Sequence, residues 1–197
     1  IDNLTIAGGC GMNSVANGKV LLKTPFKKIY VQAAAGDAGG AIGAALTTWH
    51  RFGGKMAKHR SIPHNHAYFG PSFQDSYIKS LLNSQKKRIS KENWVIENYS
   101  NFSEITQKTA AEIAKGKVIG WFQGRMEWGP RALGNRSILC DPRRSDIKDI
   151  LNSKIKRRES FRPFAPSILR EKVSEWFEQD DDVPFMMQVY QIKKEKR

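Results

Sequence analysis

Glycines fall in this chain where short apolar runs end, and that placement restricts the fold more than any other feature. Residues 4–7 lead straight into Gly8-Gly9-Cys10-Gly11, and residues 29–31 are followed, after Gln32 and three alanines, by Gly36-Asp37-Ala38-Gly39-Gly40. A short β-favouring run closed by glycines reads as a strand meeting a tight backbone turn. Behind the second glycine cluster, the small residues 41–46 suit a helix packed closely on a neighbouring backbone. The opening stretch is therefore expected to run strand, loop, strand, loop, helix, in a mixed α/β (α+β) fold.

Further along, Gly53-Gly54, Pro63 and Gly70-Pro71 interrupt the pattern. One helix is expected over 74–83, and the linker is placed in this region, at 56–93 between domains at 1–55 and 94–197. Ser103 is taken as the N-cap of a helix whose less polar stripe runs Ile105, Thr109, Ala110, Ile113, Ala114 and stops at Gly116, with a strand over 118–122 behind it. Ile147, Ile150, Leu151 and Ile155 recur at three- and four-residue steps. This spacing predicts a helix over 145–157 with Lys154 and Arg158 four apart on one side.

Composition narrows the class of partner. With 33 Lys and Arg against 19 Asp and Glu, the formal charge of +14 attracts anions without naming them. Two cysteines, Cys10 and Cys140, cannot build a disulfide framework and lack paired zinc spacing, which favours a reducing, cytoplasmic setting. No apolar run approaches the roughly 18 residues that cross a bilayer, and no secretion signal opens the chain, so no membrane partner is expected. The start at Ile1 and the basic end 193–197 suggest a piece of a longer protein, whose remainder would be a partner.

Three segments carry chemistry. In the Gly8-Gly9-Cys10-Gly11-Met12-Asn13 loop, glycines let backbone N–H groups approach phosphate or ribose oxygens, and Asn13 can fix a hydroxyl or base edge. A purely structural turn fits the same residues, since the spacing is neither the dinucleotide fingerprint nor the P-loop. Asp37, among Gly36, Gly39 and Gly40 at a helix start, has three ordinary uses: capping the helix, binding a nucleotide-associated cation, or ligating a metal. In the second segment, residues 124–137, Arg125, Arg131, Arg136, Asn135 and Ser137 crowd a glycine-punctuated stretch with Trp128 and Leu133. The planar fork of arginine matches phosphate oxygens in pairs, so the loop suits a doubly charged phosphate. A solvated basic loop is the plainer alternative, and Glu127 is expected to orient one arginine. The third, residues 154–167, is a helix end running into Phe161-Arg162-Pro163-Phe164-Ala165-Pro166-Ser167, where the prolines bias preceding residues toward extended geometry and fix where Arg162 and Ser167 point.

Together these runs resemble the O-carbamoyltransferases of the NodU/CmcH type. The Gly-Gly-x-Gly-x-Asn loop and the Gly-Asp-x-Gly-Gly-Ala-x-Gly-Ala helix start look like the family's ATP-binding subdomain, of the actin-like ATPase type. Glu-Trp-Gly-Pro-Arg-Ala-Leu-Gly-Asn-Arg-Ser-Ile-Leu and Arg-Glu-x-Phe-Arg-Pro-Phe-Ala-Pro-Ser are similar, nearly residue for residue, to its C-terminal YrdC-like domain. The resemblance implies a partial actin-like subdomain followed by a YrdC-like twisted-sheet domain. It implies use of carbamoyl phosphate and ATP, with Mg, to form a carbamoyl adenylate and carbamoylate a hydroxylated small-molecule acceptor.

By the same resemblance Gly8, Gly9, Gly39 and Gly40 line a nucleotide pocket, and Asp37 belongs to an iron-type divalent metal site. Arg131, Arg136, Lys154, Arg158, Arg162, Asn135 and Ser167 fall at or near the anion and nucleotide site. The family's further metal ligands are a His-x-x-x-His pair, and none of the four histidines here is so spaced. The chain is accordingly expected to bind nucleotide or anions without completing carbamoyl transfer by itself. His59, His64 and His66 are read as surface residues, and Asp180-Asp181-Asp182 as a solvated loop.

Two other readings compete. A basic nucleic-acid-binding module fits the charge, but the densest arginines sit in Gly- and Pro-bounded loops instead of along one exposed helix with stacking aromatics. A carbamoyl-adenylate enzyme of tRNA modification keeps the YrdC-like resemblance and changes the acceptor, but the order of the two parts favours a small-molecule acceptor.

Overall fold

The computed structural model describes residues 1–54 and 65–197. It is a mixture of helix and strand divided into two compact units, the first made of Ile1–Phe69, Glu127–Leu133 and Ala165–Arg197, the second of Gly70–Met126 and Gly134–Phe164. The expected division at 55 and 94 runs along the sequence. In space the chain passes back and forth, so that the arginine-rich segment 124–137 is shared between the two units.

In the first unit, β1 (Asn3–Ile6) and β2 (Lys28–Val31) pair in parallel, with Asn3 opposite Lys28 and Ile6 opposite Val31. Parallel neighbours need a crossover, and α1 (Ser14–Lys23) supplies it. This helix was not foreseen, because its buried positions are Asn17 and Gly18 instead of an apolar stripe. Asn17 Nδ2 donates to the Gly11 and Met187 carbonyls at 2.8 and 2.9 Å, and the Val189 N–H donates to the Ser14 carbonyl at 3.1 Å. Residues 187–189 thus lie against the helix, and a Cβ on Gly18 would fall 2.1 Å from the Val189 carbonyl oxygen. The core gathers Val31, Ala33, Ala35, Ala67, Phe185 and Met187, with Ile6, Met12, Ile29 and Leu133 packed on it. Beyond β2, α2 (Gly40–Arg51) follows the second glycine cluster as expected. A short α7 (Val173–Trp176) lies near the end, numbered after the helices of the second unit.

The second unit contains α3 (Asp75–Ser84), α4 (Lys86–Lys91), α5 (Phe102–Ala114) and α6 (Ile147–Ile150), with a two-stranded antiparallel sheet of β3 (Ile119–Phe122) and β4 (Arg136–Leu139). The cap of α5 is Asn101, not Ser103: its Oδ1 accepts from the Glu104 N–H at 2.9 Å while its Nδ2 donates to Glu104 Oε1 at 2.8 Å. Both residues are good caps, and the reciprocal pairing with an acid three positions on selects the earlier one.

The helix expected over 145–157 is shorter and irregular. After α6 the chain continues as a π-helical segment, Leu151–Lys156, and stops at Arg157, whose φ of 48° is left-handed. Arg158 is therefore off the helix and does not share a face with Lys154.

Candidate functional site

In the first unit Gly8, at φ 97°, donates its N–H to the Ala35 carbonyl at 2.6 Å and opens a 3₁₀ turn, Gly9–Met12. A Cβ built on Gly8, Gly9 or Gly40 would meet nothing within 4 Å, so space is open above these three backbones. Gly39 is different: its Cβ would lie 2.1 Å from Gln32 Nε2 and 2.3 Å from the Ala34 carbonyl oxygen, so packing alone demands glycine there. Asn13 Oδ1 accepts from the Ala16 N–H at 3.1 Å and caps α1, which commits that oxygen to the helix.

Asp37 begins the 3₁₀ turn Asp37–Gly39, is exposed, and makes no side-chain hydrogen bond or ion pair with another described residue. Among the described residues no three His, Cys, Asp or Glu side chains cluster where they could hold a metal ion. His59 and His64 lie outside the described residues. His66 is half-buried instead of standing on the surface, its ring stacked on Tyr68 at 5.6 Å.

A concavity of about 400 Å³ opens in the same unit between the β1–β2 face and α2. Its walls are mainly apolar, with Thr5, Tyr30, Gln32 and His66 as the polar exceptions, and Gly39 is the one predicted site residue that lines it.

Residues 127–133 also belong to this unit. Glu127 is buried, and its Oε1 accepts from the Leu133 N–H at 2.7 Å, closing the segment on itself. The Trp128 N–H donates to the Ala67 carbonyl at 2.7 Å. At Gly129 φ is 116°, and a Cβ would fall 2.7 Å from the Ala33 carbonyl oxygen. The stretch so anchored brings half-buried Arg131 to the end of the glycine-rich turn, where Nη2 donates to the Met12 carbonyl at 3.4 Å. Its Nε is buried and makes no hydrogen bond to a described residue. Sequence reading grouped Arg131 with the other arginines; the structure sets its side chain against Met12, at the end of the turn that Gly8 opens.

Most of the remaining predicted residues are in the second unit, and exposed Ser167 is in the first. Arg136 and Ser137 stand on β4, not in a loop. Ser137 Oγ accepts from the Gly134 N–H at 3.0 Å, Asn135 Nδ2 donates to the Arg125 carbonyl at 2.7 Å, and Arg125 Nε donates to the Gly70 carbonyl at 3.1 Å. These three side chains shape the hairpin between β3 and β4.

Residues 152–164 form a second constructed element. Asn152, which sequence reading passed over, is fully buried; its Nδ2 donates to the Ser160 and Arg162 carbonyls at 3.1 and 2.9 Å. Its Oδ1 accepts from Arg158 Nε at 2.7 Å, and the Arg158 guanidinium lies 4.6 Å from the centre of the Phe164 ring. Arg162 pairs with Glu159 at 2.8 Å, both side chains about half exposed, while Lys154 is exposed on the π-helical segment. The Glu159 carboxyl is held below its usual range by a backbone hydrogen bond first and Arg162 second. Nothing in the sequence separates Asn152 from its polar neighbours, because its importance arises from a chain reversal five to ten residues later.

Comparison with known proteins bears on both elements. Residues 1–46 match a family model described as carbamoyltransferase N-terminus, and residues 110–197 one described as carbamoyltransferase C-terminus. This chain belongs to the carbamoyltransferase family. The N-terminal match covers both glycine clusters, and the C-terminal match covers both arginine-rich segments.

Nodulation protein NolO of Bradyrhizobium diazoefficiens is 43% identical across 98% of the chain and 34% of its own length. Nodulation protein NolNO of Sinorhizobium fredii is 41% identical across 100% of the chain and 28% of its own length. An uncharacterized protein of Synechocystis is 45% identical across 100% and 31%. The chain thus spans about a third of the length of the curated relatives it matches.

Proposed function

We propose that this chain contributes the carbamoyl phosphate and nucleotide sites of an O-carbamoyltransferase, and that in the whole protein a carbamoyl group passes through a carbamoyl adenylate to the hydroxyl of a small molecule. The observation that carries this reading is the coincidence of the family matches at 1–46 and 110–197 with the segments in which glycine backbones and arginine side chains are held by specific contacts. In the transfer step the acceptor oxygen would bond to the carbamoyl carbon, AMP would leave with the electrons of the broken C–O bond, and the hydroxyl proton would be released. The finer assignment is an actin-like nucleotide subdomain for residues 1–55 and a YrdC-like domain for residues 94–197.

The open space over Gly8, Gly9 and Gly40 suits close approach of ATP phosphate or ribose oxygens to backbone N–H groups. Beside that turn, the unbonded Arg131 Nε offers a buried donor to an oxyanion. Arg158 and Arg162, carried on one braced loop, are suited to bind carbamoyl phosphate and to stabilise charge that develops on its leaving oxygen. Iron is a poorer fit to the residues at hand: Asp37 is exposed and, among the described residues, no ligand cluster accompanies it. No step is therefore routed through a metal. Positive charge alone would also attract nucleic acid, but Arg158 and Arg162 are engaged with an amide, an aromatic ring and a carboxylate instead of standing on an open basic face.

Titration calorimetry at two temperatures with carbamoyl phosphate, and with a non-hydrolysable ATP analogue, tests the assignment. Saturable binding of each ligand is expected. Absence of binding heat at both temperatures from a folded sample would overturn it.

A further inference from the structure

We propose that Asn152 is a positioning residue, whose buried amide sets the plane of the Arg158 guanidinium before any ligand arrives. This rests on the reading of Arg158 as an anion-binding residue. The geometry uses the whole hydrogen-bonding capacity of the asparagine amide group on the donor side. Both Nδ2 hydrogens go to main-chain carbonyls, of Ser160 at 3.1 Å and Arg162 at 2.9 Å, and Oδ1 receives Arg158 Nε at 2.7 Å. The Asn152 main-chain carbonyl also accepts the Arg158 N–H at 2.9 Å. One side chain therefore ties the π-helical segment to both arms of the loop that follows.

The chemistry requires an amide of this length. A carboxylate would face two carbonyl oxygens with no hydrogens to offer, and a serine would lose at least one of the bridges. An amide left unpaired in a site with no solvent access is costly, so the contacts must form together. The local backbone departs from ideal form at the same place, with a π-helical turn through Asn152 and left-handed geometry at Arg157. Such departures persist only where surrounding contacts over-determine them.

The consequence falls on Arg158. Its Nε is anchored, and the central carbon of its guanidinium lies over the Phe164 ring, 4.6 Å from the ring centre. Nη2 has only a long contact, 3.4 Å, to the Pro163 carbonyl. The plane is thus fixed by the Nε bond and the ring, while the Nη edge retains donors for a pair of phosphate or carbamoyl oxygens. A pre-set fork loses less freedom on binding than a mobile one.

The test is a binding cycle with carbamoyl phosphate on the full chain, using Asn152→Ser, Arg158→Met and the double variant, together with nitrogen NMR of arginine Nε–H groups in the unmodified protein. The expected result is a roughly 10-fold weaker affinity for Asn152→Ser, as for loss of one hydrogen bond to a charged group. Arg158→Met should weaken binding at least as much, and the double variant no further than Arg158→Met alone. If the two losses multiply instead, Asn152 acts independently of Arg158 and the proposal fails. If Arg158→Met leaves affinity unchanged, the anion-site reading fails, which is a separate outcome. The NMR arm needs no Asn152 variant to fold: a slowly exchanging Nε–H signal, assigned by its loss in Arg158→Met, should be present before ligand is added. A rapidly exchanging or averaged Arg158 Nε–H in the free protein would overturn pre-positioning.

Discussion

The two compact units reach order by different means. In the first, small residues let main chain approach main chain: Ala33, Ala34 and Ala35 are buried, Gly129 lies over Ala33, and Gly18 admits Val189. In the second, Ile147 and Leu151 are the buried apolar side chains among the described residues, and polar side chains take a larger share in fixing the chain. Asn152 braces residues 152–164, Asn101 caps α5, and Arg144 Nη1 donates to the Gly116 carbonyl at 2.6 Å while its Nε and Nη2 hold Asp146. On the proposed reading the difference has a purpose: a glycine-rich nucleotide element would need close backbone and few side chains, an anion loop long cationic side chains held at their bases.

That contrast predicts opposite sensitivities. The largest effect is expected at Gly18. Alanine in a helix interior normally gains about 1 kcal/mol over glycine. Here the added Cβ would lie 2.1 Å from the Val189 carbonyl oxygen, so main chain must move. Gly18→Ala should therefore lower stability by about 2 kcal/mol net, measured by denaturant unfolding, with increased amide exchange around 187–189. A stabilised variant would break the account of the first unit.

A smaller effect is expected at Asn101. Asn101→Ala removes the cap of α5 and should cost about 1 kcal/mol, seen as faster exchange of the first-turn amides near Glu104. An unchanged exchange pattern would mean that the cap is not what holds the helix start.

Much of this was readable in advance, and the exceptions share a cause. The strands at residues 3–6, 28–31 and 119–122 and the helices at 40–51, 75–84 and 102–114 lie where apolar runs and glycine stops place them, within a few residues. Helix α1 was hidden because Asn17 and Gly18 occupy its buried positions, and β4 because Arg136 and Ser137 gave an alternating stretch the look of a loop. Apolar periodicity cannot register a face that packs through backbone and amide groups. For the same reason the glycine clusters were legible as candidate site elements, whereas Asn152 was not. Its partners Ser160 and Arg162 come near only because Arg157 turns the chain back.

The smallest predicted effect concerns pH. Hydrogen bonds from the Arg143 side chain, then from its backbone N–H, hold the buried Asp141 carboxyl down at about 2. A depressed carboxyl pKa stabilises the fold above its unfolded value, about 3.9, and that contribution is lost as pH falls toward about 2. Acid titration of stability should show a component between those limits that Asp141→Asn removes. Persistence of the same component in the variant would assign it to another carboxylate.

Hydrogen exchange in the presence and absence of carbamoyl phosphate tests the central claim most directly, since it locates binding without requiring turnover. The account predicts added protection within residues 152–164, where Arg158 and Arg162 are carried. Saturable binding with no change in that loop, and protection confined to other segments, would contradict it.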